Sequence, residues 1–346
     1  DDLANLQTED FAEQMSGQPN VFTPGYTEEA KKTAASMTPV RSSAKSRVLE
    51  SERTVSNKPN AQNAIPKPSG ADVLALANQL IPGLPPNIGL SSTLEIIDLI
   101  QGDRETFFVA DVADMEMRTI TATLKYISQN AYWFVSDDVY VPQVDLVRAA
   151  EDFEEQVFLD VINRFGSLWP MGLDEKRITV LNAHLGGPAG YYSSSDEYPI
   201  SVRVYSNQRK MIYINPQIRR PGTQEYLSTL AHELQHAIHW NINQGQSTWL
   251  NEGLSQFAES NLGYDLQTTD AFVNSQPTSL VYWPAEMSDL SAHYGAAFLF
   301  TEFLAVQPSI NHQMSALLAT REKGINAIDA LLDKSGTGED FNTVFS

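Results

Sequence analysis

The sequence predicts an α+β fold in which an N-terminal mixed sheet and a C-terminal helical subdomain lie on either side of a cleft. Short β-rich runs bounded by turn residues occur between residues 102 and 216, interrupted by one long helical stretch. Helical spacing then dominates from about residue 224 to the end of the chain. With 346 residues, 42% of them hydrophobic, the chain is long enough for two or three domains and an extensive core.

Residues 1–70 are rich in Ser, Thr, Asn, Gln, Pro, Lys and Glu and show no sustained hydrophobic period. Such a composition buries too little apolar surface to offset chain entropy, so we interpret this region as a disordered leader, linker or pro-segment. Residues 71–142 differ. ADVLALANQLI predicts a short helix, and ETFFVADV, TITATLKYIS and AYWFVSD predict a small antiparallel β unit over about 102–142.

The third predicted region, residues 143–346, begins with a long helix, DLVRAAEDFEEQVFLDVINRFG, whose apolar stripe includes Leu146, Phe153, Val157 and Val161. Strands are predicted at RITVLNAHL, ISVRVYS and KMIYINP, before a helix rich in histidine. Further helices are predicted at TWLNEGLSQFAESNLG, LSAHYGAAFLFTEFLAV, INHQMSALLATRE and INAIDALLDKS. FNTVFS at the end resembles the start of another element, so we expect this region to be cut within a larger protein.

Composition excludes several classes of protein. The chain has no cysteine, so disulfides and thiolate nucleophiles are excluded, and any metal site must use His, Asp or Glu. The formal net charge of -20 argues against nucleic acid as a partner. No apolar run reaches the roughly 18 to 20 residues that would span a bilayer. The acidic composition, the missing cysteines and a start at Asp1 without a signal-peptide pattern together predict a secreted protein.

Three of the six histidines lie within eight residues, in the segment AHELQHAIHW. On a helix, His232 and His236 share one face at an axial separation of roughly 6 Å, where two imidazoles can bind one tetrahedral Zn²⁺. Glu233 lies about 100° around the helix, beside the metal, and could take a proton from a zinc-bound water. HELQH is therefore a His-Glu-x-x-His motif that predicts a hydrolytic zinc centre; the alternative is an amphipathic helix with surface histidines.

WLNEG at 249–253 follows the turn-like NINQGQS. With both motifs the chain resembles the gluzincins, metallopeptidases whose third ligand is the Glu of an Asn-Glu segment on the next helix. It is most similar to the hyicolysin-like bacterial neutral zinc metallopeptidases. This resemblance is strongest at the two motifs and extends more weakly from the β unit to about residue 345. The resemblance implies a zincin-like fold with the active-site helix beside the sheet. It also implies one Zn²⁺ per chain, with His232, His236 and Glu252 as ligands and Glu233 as the base.

The sequence departs from related patterns at two places. Ile242 occupies the position of a metzincin's third histidine, which excludes that branch. Thermolysin-like enzymes place an Asp four residues after the ligand Glu to orient a histidine. Here Gln256 stands at that position; its amide oxygen could accept the histidine N–H, but without the charge of a carboxylate.

Two other residues near the motif carry side chains that can bind a metal. Glu259 is an alternative to Glu252, but it lies about 10 Å further along the helix, too far for both to bind one ion. His239 lies about 10 Å from His232 along its helix, so it cannot readily complete the same tetrahedron. We interpret it as a partly exposed histidine packed near Trp240.

Zinc peptidases also need a donor for the oxyanion that develops on the substrate. Gluzincins commonly supply Tyr or His after the third ligand, and SAHYGAAF offers Tyr294 or His293, with no basis for choosing between them. ISVRVYS or KMIYINP could form an edge strand that holds an extended peptide, and GGPAGYYSSSDEY is either a flexible rim or lid or a plain hairpin. The predicted function is a zinc-dependent endopeptidase that binds peptides or proteins; the alternatives are a zinc aminopeptidase and an inactive binding or adhesion module.

Overall fold

The computed structural model describes residues 99–111, 114, 116–170, 176–264, 266, 268–275, 278–283, 290–310, 314–320 and 322–345. The predicted leader or linker at 1–70 and the predicted short helix at 71–81 lie outside the described residues.

Six strands form one mixed sheet in the order β1-β2-β3-β4-β6-β5. Their bounds are β1 Arg104–Asp111, β2 Glu116–Ile127, β3 Ala131–Ser136, β4 Ile178–Asn182, β5 Gly190–Tyr192 and β6 Met211–Ile214. The first three strands are antiparallel, β3 to β4 and β4 to β6 are parallel, and β5 is antiparallel to β6. The β unit predicted at 102–142 and the later strands therefore share one sheet.

Side chains alternate between the two faces of the sheet, because successive residues of a strand point to opposite sides. In β3, Trp133 joins a large apolar cluster on the face that carries the helices, whereas Phe134 joins a second cluster on the other face. Ile212 and Tyr213 of β6 divide in the same way. Burial of both faces explains why the central strands read as nearly continuous apolar runs.

The second face is buried because the sheet curls, which brings β1 close to β5 and to the loop before β6. The side-chain amide of Asn207 accepts a hydrogen bond from Phe108 N at 2.9 Å and donates one to Phe108 O at 2.8 Å. Ala110 N donates to the hydroxyl oxygen of Tyr191 at 3.0 Å. These bonds occupy part of the outer edge of β1, which would otherwise be open to pairing with another strand.

The helical segment predicted between β3 and β4 is present at 143–165. It consists of α1 Gln143–Asp152, a π-helical stretch Phe153–Phe158 and α2 Leu159–Phe165. All four residues of its predicted apolar stripe are buried in the cluster on the helical face of the sheet. This segment backs the sheet and supports the histidine-rich helix.

The later helices also follow the predicted positions, with one addition. They are α3 Gln224–Ile242, α4 Thr248–Asn261, α5 Thr268–Val273, α6 Leu290–Val306, α7 Met314–Ala319, α8 Ile325–Ser335 and α9 Phe341–Phe345. The short helix α5 was not predicted, and the final aromatic pattern forms α9. Within the described ranges, no helix is long and apolar enough to cross a membrane.

One strand prediction, ISVRVYS at 200–206, is wrong. Val202 N and Arg203 N both bond to Pro199 O, and Ser206 N bonds to Arg203 O, so the segment forms consecutive turns. Strand β5, which lies within GGPAGYYSSSDEY, forms the edge of the sheet opposite β1. Its three residues are buried and pair with β6, so the segment holds one strand of the sheet, and it is neither a loose rim nor a hairpin of its own.

Candidate metal centre

Helix α3 is buried along most of its length because it lies between the sheet and the later helices. The Thr223 hydroxyl accepts a hydrogen bond from Tyr226 N and caps the first turn. Every residue from Tyr226 to His239 is buried. Strand β5 runs close beside this helix, since a Cβ added to Gly190 would lie 2.7 Å from Cγ2 of Thr229. The glycine thus permits the close approach of strand and helix.

Helix α4 returns along α3 after the connection at 243–247 and is itself buried from Trp249 to Glu259. Helix α6 lies against its other side. A Cβ added to Gly253 would lie 2.6 Å from the carbonyl oxygen of Ala297 and 2.5 Å from Oγ1 of Thr301. The glycine that follows Glu252 therefore allows α6 to pack at the level of the candidate ligands.

The contact between α3 and α4 is polar, unlike the apolar cluster around it. We call this contact the polar seam; its buried members are Ser228, His232, Gln235, His236 and His239 on α3, and Asn251, Glu252, Ser255 and Glu259 on α4. Because the helices are antiparallel, residues early in α3 face residues late in α4. Ser228 and His232 accordingly contact Glu259, and His236 contacts Ser255.

Three residues of the polar seam, His232, His236 and Glu252, form a group that could hold a metal ion. One ligand atom from each lies within 4.8 Å of the others. Oε2 of Glu252 is 3.5 Å from Nε2 of His232 and 3.8 Å from Nε2 of His236. The two imidazole rings meet edge to face with centroids 4.8 Å apart. The structure thus brings together the three residues that the resemblance implies as ligands.

The hydrogen bonding of these three atoms fits a cation. Nε2 of His232, Nε2 of His236 and Oε2 of Glu252 are buried and make no hydrogen bond within the described part of the chain. A separation of 3.5 Å is longer than a well-formed N–H···O bond, which is typically about 2.7–3.2 Å. Two imidazole nitrogens and a carboxylate oxygen that converge in this way are a suitable donor set for a divalent metal.

Glu259 fixes the tautomer of His232. Its Oε1 lies 2.7 Å from Nδ1 of His232, and its other carboxylate oxygen accepts the hydroxyl hydrogen of Ser228. When Nδ1–H donates to this carboxylate, Nε2 is the nitrogen that faces Glu252 and His236 and can give its lone pair to a metal. The structure does not favour the hypothesis that Glu259 is the third ligand, because its carboxylate contacts Nδ1 of His232, on the opposite side of the imidazole from Nε2.

Ser255 fixes the tautomer of His236 in the same manner. Its Oγ lies 3.0 Å from Nδ1 of His236 and donates its own hydrogen to the side-chain carbonyl of Gln235. Gln256, expected to support a histidine, instead accepts a hydrogen bond from Oγ1 of Thr268 at 3.1 Å. That expectation is wrong because the Gln256 side chain faces α5 rather than the polar seam.

Burial and charge shift the pKa values of the group in opposite directions. Burial alone would lower the pKa of His232, but contacts with Glu252 and Glu259 and the charge of Glu233 raise it to about 10. Burial and the neighbouring His232 charge lower the pKa of His236 well below its ordinary value. Burial raises the pKa of Glu252, against the opposing effect of His232. Without a metal, the carboxylates around His232 therefore favour its charged form, and burial favours the neutral form of His236.

Glu233 and Tyr294 complete the surroundings of the three ligand atoms. Glu233 is fully buried, and its charge acts on both His232 and Tyr294. The buried hydroxyl of Tyr294 donates a hydrogen bond to Glu252. Burial, together with the charges of Glu252 and Glu233, raises the pKa of Tyr294 well above its ordinary value. Tyr294 therefore remains a neutral donor beside the candidate ligands.

His293, the other sequence candidate for the oxyanion donor, lies in a different environment. Its Nδ1 is 3.1 Å from the carbonyl oxygen of Ser279, and its ring contacts Tyr282 and Trp283. Of His293 and Tyr294, only Tyr294 makes a hydrogen bond to a candidate ligand, Glu252, among the interactions that the structure describes.

His239 is 2% exposed, so the prediction of a partly exposed residue is wrong. Burial lowers its pKa to about 4, against a smaller opposing effect of the Asn251 side chain. The residue is therefore neutral and belongs to the polar seam, but it is not part of the group of three ligand atoms.

Sequence reasoning did not identify the supporting roles of Glu259, Ser255 and Ser228. No motif marks them, because their roles depend on how two antiparallel helices align. The chain matches no model of a known protein family, and it matches none of the curated proteins with which it was compared.

Proposed function

We propose that this protein is a zinc-dependent endopeptidase of the gluzincin type, with a zincin-like arrangement of sheet, α3 and α4. The observation that carries the proposal is the convergence of three buried, unpartnered ligand atoms, from His232, His236 and Glu252, beside the buried carboxylate of Glu233. A purely structural helix pair gains nothing from leaving three polar atoms unpaired at one point, since each costs about 1–3 kcal/mol.

The donor set favours zinc. Two imidazoles and one carboxylate are the protein ligands of many catalytic Zn²⁺ sites, which keep a fourth position open for water or substrate. Neutral imidazole nitrogens suit this ion better than the oxygen-preferring Mg²⁺ and Ca²⁺. The hydrogen bonds of Glu259 and Ser255 support this assignment, because they hold both histidines with Nε2 available for a metal.

The chain's own residues have separate roles in the proposed reaction. When bound, zinc would polarise a water molecule and the substrate carbonyl. The carboxylate of Glu233 accepts a proton from the attacking water and later delivers it to the leaving amine. In the proposed reaction the Tyr294 hydroxyl turns its single hydrogen from Glu252 to the developing oxyanion.

The sheet edge supports an extended polypeptide as the substrate. Of the two segments predicted as an edge strand, 200–206 forms turns, and β6 is paired on both sides with β4 and β5. Strand β5 occupies the edge and packs against α3 at Thr229, one turn before His232. An extended peptide that adds to this edge would lie beside the candidate centre, once the groups that bury β5 move aside. The acidic, cysteine-free composition favours action outside the cell.

The decisive experiment replaces Glu233, which is not a candidate ligand. Glu233→Gln should keep bound zinc, measured by elemental analysis, and should keep the fold, measured by circular dichroism. Hydrolysis of an unfolded protein should fall by about 10²–10⁴ or more, because general acid–base help is lost in both proton transfers. Glu225→Gln, an exposed change on the same helix, is the matched control and should leave hydrolysis unchanged.

The alternatives give different results in the same experiment. Undiminished hydrolysis by Glu233→Gln would contradict the proposed mechanism. A wild-type protein that binds zinc but cleaves no peptide would favour a binding or adhesion module. Cleavage restricted to peptides with a free amino terminus would favour an aminopeptidase, whereas cleavage inside an end-blocked peptide supports the endopeptidase.

A further inference from the structure

An arginine reaches from the loop before helix α3 to the helix turn that supports the candidate metal centre. The loop backbone is fixed, because Asn215 N donates to Ala189 O and Arg219 N donates to Asn215 O, each at 2.8 Å. From this position, Nε of Arg219 donates to Oγ1 of Thr229 at 3.3 Å. Thr229 lies on α3 one turn before His232, so the guanidinium group lies beside the helix at the start of the polar seam.

Thr229 and its neighbour Ser228 connect this arginine to the polar seam. Thr229 is fully buried, and its hydroxyl donates its hydrogen to Glu225 O at 3.0 Å, which leaves the oxygen to accept from Arg219. Ser228 donates its hydroxyl hydrogen to Glu259, the carboxylate on α4 that supports a candidate ligand. The loop and α4 thus bring a cation and a carboxylate to the same turn of α3.

The charges of this arginine and of Glu259 complement each other. Arg219 is half-buried, and Glu259 is buried. Burial lowers the pKa of Arg219, and the negative charges of Glu259 and Glu225 act in the opposite direction. Glu225 is exposed, so water screens its attraction more than that of the buried Glu259. A partly buried guanidinium group is stabilised by an opposite charge, and Glu259 is the buried group whose charge supplies it.

We propose that Arg219 is a positioning residue that acts on the metal centre through Glu259: its charge holds the Glu259 carboxylate against Nδ1 of His232. This inference rests on the zinc site of the proposed function. The carboxylate needs such a partner because it shares a buried region with another acid. Burial and the charge of Glu259 both raise the pKa of Glu252, so the two carboxylates repel each other. Without Arg219, the Glu259 carboxylate gains by moving toward solvent, and the His232 N–H then loses its acceptor.

The direction of the effect separates positioning from simple charge repulsion. A guanidinium group near the site also repels Zn²⁺, so repulsion alone predicts that removing the Arg219 charge raises zinc affinity whether or not Glu259 is charged. Positioning predicts the opposite sign. Zinc affinity should fall when Arg219 is replaced, and it should fall only in a protein that keeps the Glu259 carboxylate.

The test is a double-mutant cycle on zinc affinity, measured by competition with a chromophoric chelator. Arg219→Gln should lower the affinity by about three- to tenfold, since the contact between Glu259 and His232 is weakened but not deleted. In the Glu259→Gln background the same change should have less than about a twofold effect, because an amide has no charge for the guanidinium group to hold. Arg219→Lys keeps the charge and should recover part of the loss.

Arg220→Gln is the matched control, because this neighbouring arginine is 70% exposed and pairs with Asp145 on α1. Its zinc affinity should equal that of the wild type. If Arg219→Gln does not fold, Thr229→Val gives the same comparison. It removes the hydroxyl that accepts from Nε of Arg219 and should cause a smaller loss of affinity, again only when Glu259 is charged.

The metal-free protein gives a readout that does not depend on zinc. NMR of ¹⁵N-labelled histidine should show a His232 Nδ1–H that exchanges slowly in the wild type and faster in both Arg219→Gln and Glu259→Gln. The positioning role would be overturned by an unchanged or raised zinc affinity in Arg219→Gln, by an equal loss with and without the Glu259 carboxylate, or by an unchanged His232 signal. A wild type that shows the expected exchange pattern but binds no zinc would support the positioning of Glu259 and contradict the proposed function.

Discussion

Glu259 should govern zinc affinity without being a ligand. Its carboxylate is buried, lies 2.7 Å from Nδ1 of His232 and is itself held by Ser228. Glu259→Gln removes the charge but keeps an oxygen that can accept the Nδ1 hydrogen, so zinc affinity should fall by about tenfold. Glu259→Ala also leaves Nδ1 and the Ser228 hydroxyl without their partner. Loss of a hydrogen bond to a charged group costs about 1.5–3 kcal/mol, which corresponds to about 10- to 150-fold.

The assay is competition for zinc between the purified protein and a chromophoric chelator at neutral pH. Glu252→Ala should weaken binding more than either Glu259 variant, because it removes a ligand atom rather than a supporting bond. Gln256→Ala is the matched control: it changes a buried polar residue of the same helix that bonds Thr268 instead of a histidine. Its zinc affinity should equal that of the wild type, with far-UV circular dichroism confirming that each variant is folded.

Two results would refute this reasoning. If Glu259→Ala bound zinc as tightly as the wild type, the bond to His232 would have no part in metal binding. If Glu259→Ala lost more affinity than Glu252→Ala, the ligand role would pass to Glu259. An equal loss of zinc affinity in Gln256→Ala would show that removing any buried polar side chain of α4 weakens the site. The bond between Glu259 and His232 would then not be the cause.

Three further predictions concern stability. A strong chelator should lower the melting temperature, because the ligand atoms of the candidate centre then lose their partner; an unchanged temperature after confirmed zinc removal would argue against the site. Lys210→Met should destabilise the fold by about 3–5 kcal/mol in urea unfolding, because it leaves the buried Glu197 carboxylate without its cationic partner, and adding Glu197→Gln should restore part of the loss. Burial raises the pKa of Asp196 to about 7, so its contribution to stability is complete below about pH 4 and is lost as the pH rises through 7. The melting temperature of Asp196→Asn should accordingly gain on the wild type between about pH 4 and 7, and parallel curves over this range would contradict the shift.

Much of the fold was predictable because the residues that are apolar at helix or strand spacing are the ones that the fold buries. β3 and β4 are buried on both faces, so their sequences are mostly apolar, with Thr179 as the one polar residue inside the run of β4. Helix α6 begins and ends where its apolar pattern does. The shared face of His232 and His236 was predictable for a similar reason: a spacing of four residues on one helix fixes which side chains lie on the same side. Such features depend on local geometry alone.

The errors lie where tertiary contacts decide. ISVRVYS has the alternation of a strand, but Ile200, Val204 and Tyr205 remain exposed, and Pro199 anchors turns in place of a ladder. Strand β5 has three residues, which is too short to give a period, and its pairing is imposed by β6. His239 looked like a residue near the end of an exposed helix, yet the return of α4 covers it.

The supporting role of Glu259 shows why a ligand set can be predicted more easily than the residues that tune it. His232, His236 and Glu252 must reach one point, which restricts their spacing along two helices. The partner of Nδ1 only has to reach the far side of one ring, so it can come from any position that the helix alignment brings near. In this chain Ser228, one turn before His232, holds the carboxylate from the α3 side. A residue seven positions after Glu252 therefore serves as well as one four positions after it, and Gln256 is left to bond α5. Because that choice depends on the relative position of two helices, a spacing rule taken from another protein cannot predict it.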